Sequence, residues 1–160
     1  MTHNPNRLTV IAKAKQLAVG VHEACDRHRA SLKQQTPTLR TQLLRATDSI
    51  LLNLAEGARK ESTASFIYFL DIAIASCNEV EVQLELALST HAIPTAAPLL
   101  DQVIEVRRMS IGLRKRLVAD GKTTRRGWEK VRPGASRPAF EVAFENREPS
   151  GEHRDERSET

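Results

Sequence analysis

The chain has 160 residues and a formal net charge of +4, with 40% hydrophobic but only 4% aromatic residues. Its length allows one domain, or one domain with a tail. A core of Leu, Ala, Ile and Val with few rings fits close helix packing and speaks against a sheet protein. No apolar stretch approaches the roughly 20 residues that span a bilayer, so no membrane association is expected.

The opening, MTHNPNRLTVIAKAKQ, lacks the apolar centre of a signal peptide. The first predicted helix covers about 7–33. Val10, Ala14, Leu17, Val21 and Ala24 recur at 4-3-4-3, one seam of a helix. Thr36-Pro37-Thr38 ends it, because proline lacks the amide donor and restricts the residue before it. The second helix covers about 38–56. Leu39, Leu43, Ala46 and Ile50 keep the same spacing, and the next seam position is Asn53. Gly57 follows as a C-terminal cap in the left-handed conformation that glycine tolerates best.

Ser62 or Thr63 is the expected N-cap of the third helix. Phe66, Leu70, Ala73, Cys77, Val80, Leu84 and Ala87 then recur at 4-3-4-3-4-3, with Ile67, Ile74 and Leu88 widening the apolar face. A widened face fits contact with more than one neighbour. The helix stops near Thr90. The fourth covers about 95–118, with Val103, Val106, Leu113 and Leu117 on one side and Leu100, Ile104 and Ile111 on another. Four helices with short connections predict an all-α fold, an up-down-up-down antiparallel four-helix bundle over 1–119. Extra apolar positions on the last two helices leave room for an oligomer seam.

Periodicity ends at Asp120, and 120–160 is expected to be a flexible, disordered charged tail. Its 122–137 stretch holds six basic residues and one acid; 138–160 holds seven acids and three arginines. Trp128, Phe140 and Phe144 are its aromatic residues, either anchors for a partner or incidental. Cys25 and Cys77 lie within helical patterns with no pairing implied, which together with the absent export signal suggests the reducing cytoplasm.

Arg45-Ala46, Ser49-Ile50, Asn53, Ala55-Glu56-Gly57, Ser62, Phe66, Phe69-Leu70, Ala73, Ser76, Glu79 and Gln83-Leu84-Glu85 form one ordered pattern. The pattern resembles the signature of the 23S rRNA intervening-sequence proteins, also called four-helix-bundle proteins. That family is similar to the accessory variability determinant of diversity-generating retroelements. The resemblance implies a four-helix bundle that assembles into a ring-like homopentamer. In the retroelement relative, it implies a basic surface that binds nucleic acid and a reverse transcriptase. Three features depart from the pattern: Ser65 where an acid is common, Ala75 where glycine is usual, and the extension after Asp120.

Ser49, Asn53 and Glu56 on the second helix, with Ser76 and Glu79 on the third, are expected to meet in a structural polar network. An alternative makes Asn53 and Glu56 a contact site for RNA or a partner. No Glu-x-x-His motif is present, so a di-iron bundle is excluded. His22-Glu23-Ala24-Cys25-Asp26 opens like a zinc helix, but Asp26 replaces the second histidine and His28 is out of register. With no phosphate loop, nucleophile elbow or Cys-x-x-Cys, we expect no enzyme, no metal and no cofactor.

Arg107, Arg108, Arg114 and Lys115 recur every seven residues on the fourth helix, with Arg116 beside them. Arg45 and Arg59 stand behind this stripe as further candidates. Interleaved aromatics are absent, so phosphate contact with little base reading is the expected mode. A fivefold ring would multiply the charge to about +20. The leading expectation is a non-enzymatic, oligomeric binder of RNA or DNA, linked to an rRNA insertion or a reverse transcriptase. The alternative is a protein–protein adaptor whose tail docks a partner.

Overall fold

A computed structural model describes residues 8–119. Those residues form five helices and no strand: α1 (Thr9–Arg27), α2 (Arg29–Gln35), α3 (Leu39–Ala58), α4 (Thr63–Ser89) and α5 (Ala97–Ala119). The tail from Asp120, with its charge blocks, Trp128, Phe140 and Phe144, lies outside the described residues. No helix among those described is long and apolar enough to cross a membrane.

The expected first helix is two helices. Its seam residues are all buried, but the next 4-3 position is His28. There the backbone leaves helical geometry (φ −104°, ψ 24°). The ladder is barely interrupted: the His28 amide donates to Ala24 O at 3.0 Å, and Leu32 N donates to His28 O at 3.0 Å. A polar ring at a core position is turned out to Thr95, 3.3 Å away, and Leu32 resumes the buried seam.

The α4 seam from Phe66 to Ala87 is buried throughout, as its spacing requires. Ser62 is the N-cap: its Oγ accepts from Ser65 N at 3.1 Å. Ser65 also places its hydroxyl 2.8 Å from Ser62 Oγ, so a short polar side chain serves where a capping box carries an acid. The exit from α4 turns on His91, whose φ of 54° is left-handed. Histidine is among the residues enriched there. The turn then buries Ala92, Ile93 and Ala96.

Each of the four longer helices packs against two others: α1 on α3 and α5, α4 on α3 and α5. Cross-helix pairs set their directions. Ser49 meets Ser76, and Gly57 meets Phe66 and Phe69, so numbers rise along α4 as they fall along α3. Arg107 meets Glu81 and Arg114 meets Asp71, so α5 also opposes α4. His22–Asp48 and Asp26–Arg40 oppose α1 to α3; Lys13–Glu105 ties α1 to α5.

Gly57 is not a left-handed cap. It lies inside α3, buried, and the helix ends at Arg59 in right-handed geometry. Its reason is space. A Cβ there would sit 2.8 Å from Phe66 Cδ2 and 2.8 Å from Phe69 Cβ. The second of these atoms is held to the α4 backbone and cannot swing away, so the missing side chain sets how closely α3 and α4 approach. Gly57→Ala gains about 1 kcal/mol of helix propensity but meets an overpacking cost of about 1–3 kcal/mol. The expected net effect is a lower urea midpoint in equilibrium unfolding. A midpoint at or above the parent's would remove this account of the glycine.

Candidate nucleic-acid interface

The basic stripe of α5 divides into bound and free members. Arg107 lies over α4, with Nη1 donating to Asn78 Oδ1 at 3.1 Å and Nη2 2.9 Å from Glu81 Oε2. Arg114 forks onto both Asp71 oxygens, Nη2 reaching Oδ2 at 3.3 Å. The positions that recur every seven residues therefore fall into two rows. Arg107 and Arg114 lie on the α4–α5 seam and are neutralised. Arg108, Lys115 and Arg116 are exposed and carry no ion pair among the described residues. Charge counting along the sequence cannot separate these rows; the α4 acids Asp71 and Glu81, each one residue past a core position (Leu70, Val80), decide it.

Arg59, in the α3–α4 turn, is exposed and has no ion-pair partner among the described residues, whereas its neighbour Lys60 pairs with Glu56 and lies 5.1 Å from the Phe69 ring centroid. Antiparallel pairing brings the C-terminal ends of α3 and α5 to the same end as the N-terminus of α4. Arg59, Lys115 and Arg116 therefore gather at one end of the described helices. Exposed Glu61 offsets part of this charge. Arg45, exposed on α3, stands apart and acts on Glu79 of α4.

The expected polar network is split. Ser49 Oγ and Ser76 Oγ are 2.8 Å apart across α3 and α4, and Asn53 Nδ2 donates to Ser49 O at 2.7 Å and to Ser49 Oγ at 3.1 Å. Glu56 is not part of it; Lys60 takes its carboxylate and holds it below the usual glutamate range. Glu79 is not part of it either, accepting from Gln83 Nε2 at 3.2 Å on its own helix. Nor does Asn53 occupy the core. The seam steps from Ile50 to Leu54, which is buried, and leaves Asn53 half-buried at the edge of the α3–α4 contact.

Burial pushes the Glu79 carboxyl above its ordinary range, with the Gln83 hydrogen bond and Arg45 pulling the other way. Burial also pushes the Cys25 thiol up to about 11 and the Cys77 thiol up to about 12, so both are protonated and poor nucleophiles. The zinc-like run is dispersed: His22 pairs with Asp48 at 2.9 Å, while His28 turns to Thr95. Among the described residues, no group of three or more His, Cys, Asp and Glu is placed to hold a metal ion.

Residues 6–112 match the family model described as 23S rRNA-intervening sequence protein. The chain belongs to this family. The match covers α1 to α4 and most of α5, and stops short of Arg114, Lys115 and Arg116. A crystal structure from Bacteroides thetaiotaomicron, described as a protein with unknown function from the S23 ribosomal protein family, is similar to this chain. The two share 27% identity with a TM-score of 0.58, over 67% of this chain and 96% of the other. No curated protein matches it.

Two predictions separate the roles of these side chains. Arg107→Glu sets a carboxylate against Glu81, whose side chain is only 20% exposed, and should cost about 2 kcal/mol in urea unfolding. Lys115→Glu, exposed and unpaired, should change stability by less than about 0.5 kcal/mol. Equal losses would mean that the two rows are not distinct.

Glu79 holds its proton more readily in the folded than in the unfolded chain. Its ionised form therefore opposes folding above its raised range, and this opposition fades as pH falls through that range. Glu79→Gln should raise the urea midpoint of dilute chain near about pH 7 and have no effect below about pH 4. A midpoint that drops at neutral pH would reverse this assignment.

Proposed function

We propose that this protein is a non-enzymatic, oligomeric four-helix bundle that binds structured RNA through the cationic end carrying Arg59, Lys115 and Arg116. Within this reading α1 with α2, α3, α4 and α5 form an up-down-up-down bundle, supported by the opposed order of every cross-helix pair. The observation that carries the binding reading is that those three side chains have no ion-pair partner among the described residues, while Arg107 and Arg114 are neutralised. Unpaired guanidinium and ammonium groups are available to phosphates without breaking an ion pair.

RNA is the preferred polyanion because the family's name ties its members to intervening sequences of 23S rRNA. No aromatic side chain alternates with these cations, so the contact is to backbone phosphates rather than to stacked bases. Assembly, with five copies as the expected number, repeats the cationic end and raises a modest charge to one that survives screening. A role beside a reverse transcriptase is a narrower form of the same reading. Buried, protonated thiols support the absence of catalysis.

The test is binding of labelled duplex RNA across a salt series, with solution mass measured in parallel. The parent should bind and weaken steeply with salt. The triple variant Arg59→Glu, Lys115→Glu and Arg116→Glu should bind more weakly, with a salt slope shallower by up to about 3 per chain. A variant that binds as the parent does would place the contact elsewhere. An assembled parent that fails to bind at low salt would favour the adaptor reading.

A further inference from the structure

Helix α4 carries a second heptad seam. Tyr68, Ile72, Ala75, Glu79, Val82 and Leu86 recur at 4-3-4-3-4, the spacing of the buried seam but on the opposite side of the helix. None of the six is buried, and Val82 and Leu86 are 63% and 46% exposed. Leu52 of α3, 66% exposed, adds to the exposed apolar surface of this helix pair. A helix with one buried face normally sets polar residues opposite it; one that is apolar on both sides is shaped to be covered on both.

Midway along this outward seam the chemistry changes to acceptors. Glu79 is its only charged member. Gln83, only 8% exposed, gives its Nε2 to Glu79, and its Oε1 has no hydrogen-bond partner. The Gln83 oxygen is enclosed, so the half-buried Glu79 carboxylate is the acceptor this seam offers to an N–H-rich cation. Arg45 of the same chain acts on Glu79 through charge but makes no hydrogen bond to it.

A face with the complementary pattern exists on α5. Ile104, Arg108, Ile111, Lys115 and Val118 recur at 4-3-4-3, none of them buried. Arg108 has an isoleucine four residues before and three after; Glu79 has Ala75 and Val82 at the same two offsets. Mid-seam charge thus matches mid-seam charge, with apolar flanks on both helices.

We propose that the outward seam of α4 in one copy receives the outward seam of α5 from a second copy, with Arg108 entering opposite Glu79. This rests on the assembly part of the proposed function and names the surfaces that make it. The two faces differ, so the contact is heterologous. Each added copy leaves one face of each kind open until a ring closes. The arrangement removes Arg108 from the polyanion surface, sets Lys115 at the last turn of the contact, and leaves Arg59 and Arg116 outside it.

The test is a charge swap in the full chain, read as molar mass by light scattering over a dilution series, with thermal unfolding as the check of folding. Glu79→Arg and Arg108→Glu should each weaken assembly by about 100-fold or more. The two together should recover most of it, because the pair is restored in reverse. Val82→Asp, at a position too exposed to matter within one chain, should also disperse the assembly. Folded single variants that keep the parent's mass, or a double variant no better than either, would overturn this surface while leaving assembly itself standing. A parent that is monomeric at about 100 μM would overturn both.

Discussion

The approach of α3 to α4 at Gly57 is the contact on which the other helix positions depend. With no side chain at that point, the Phe66 ring and the Phe69 Cβ lie directly on the α3 backbone. This sets the register in which Ser49 meets Ser76 about two turns away along α3. It also holds Asp71 and Glu81, on the other flank of α4, where Arg114 and Arg107 reach them. One absent methyl group therefore acts on both sides of α4: on the packing toward α3, and on which α5 cations are neutralised.

Much of this was legible in the sequence, for a reason that particular residues make plain. The 4-3 spacing from Phe66 to Ala87 has no polar interruption, and all seven positions are buried. Where the period met a polar residue, the reading faltered. At His28 the helix broke instead of running on, and at Asn53 the core moved one residue to Leu54. Periodicity states where a side chain would be if the helix were regular. It does not state whether the backbone will yield to keep a polar group wet.

The candidate site was less legible still, because a charge's availability depends on its neighbours across the helix interface. Arg107 and Arg108 are adjacent in sequence, yet one is held by Asn78 and Glu81 and the other is free. Glu56 and Glu79 share a sign and were placed in one network. Lys60 takes the first on its own helix, and Gln83 takes the second. Such local i to i+4 partners compete with cross-helix ones, and they prevail where the longer reach carries a larger entropy cost.

The two thiols give the molecule a means of reporting its own internal motion. Cys25 and Cys77 sit in the core on different elements, α1 and α4, and neither is in a disulfide. Each is masked by packing and by protonation, so an alkylating reagent can reach it only when the helix that bears it lifts away. The relative rates at the two sites would thus measure, without any added label, whether α1 opens alone or whether the whole core opens as one cooperative unit.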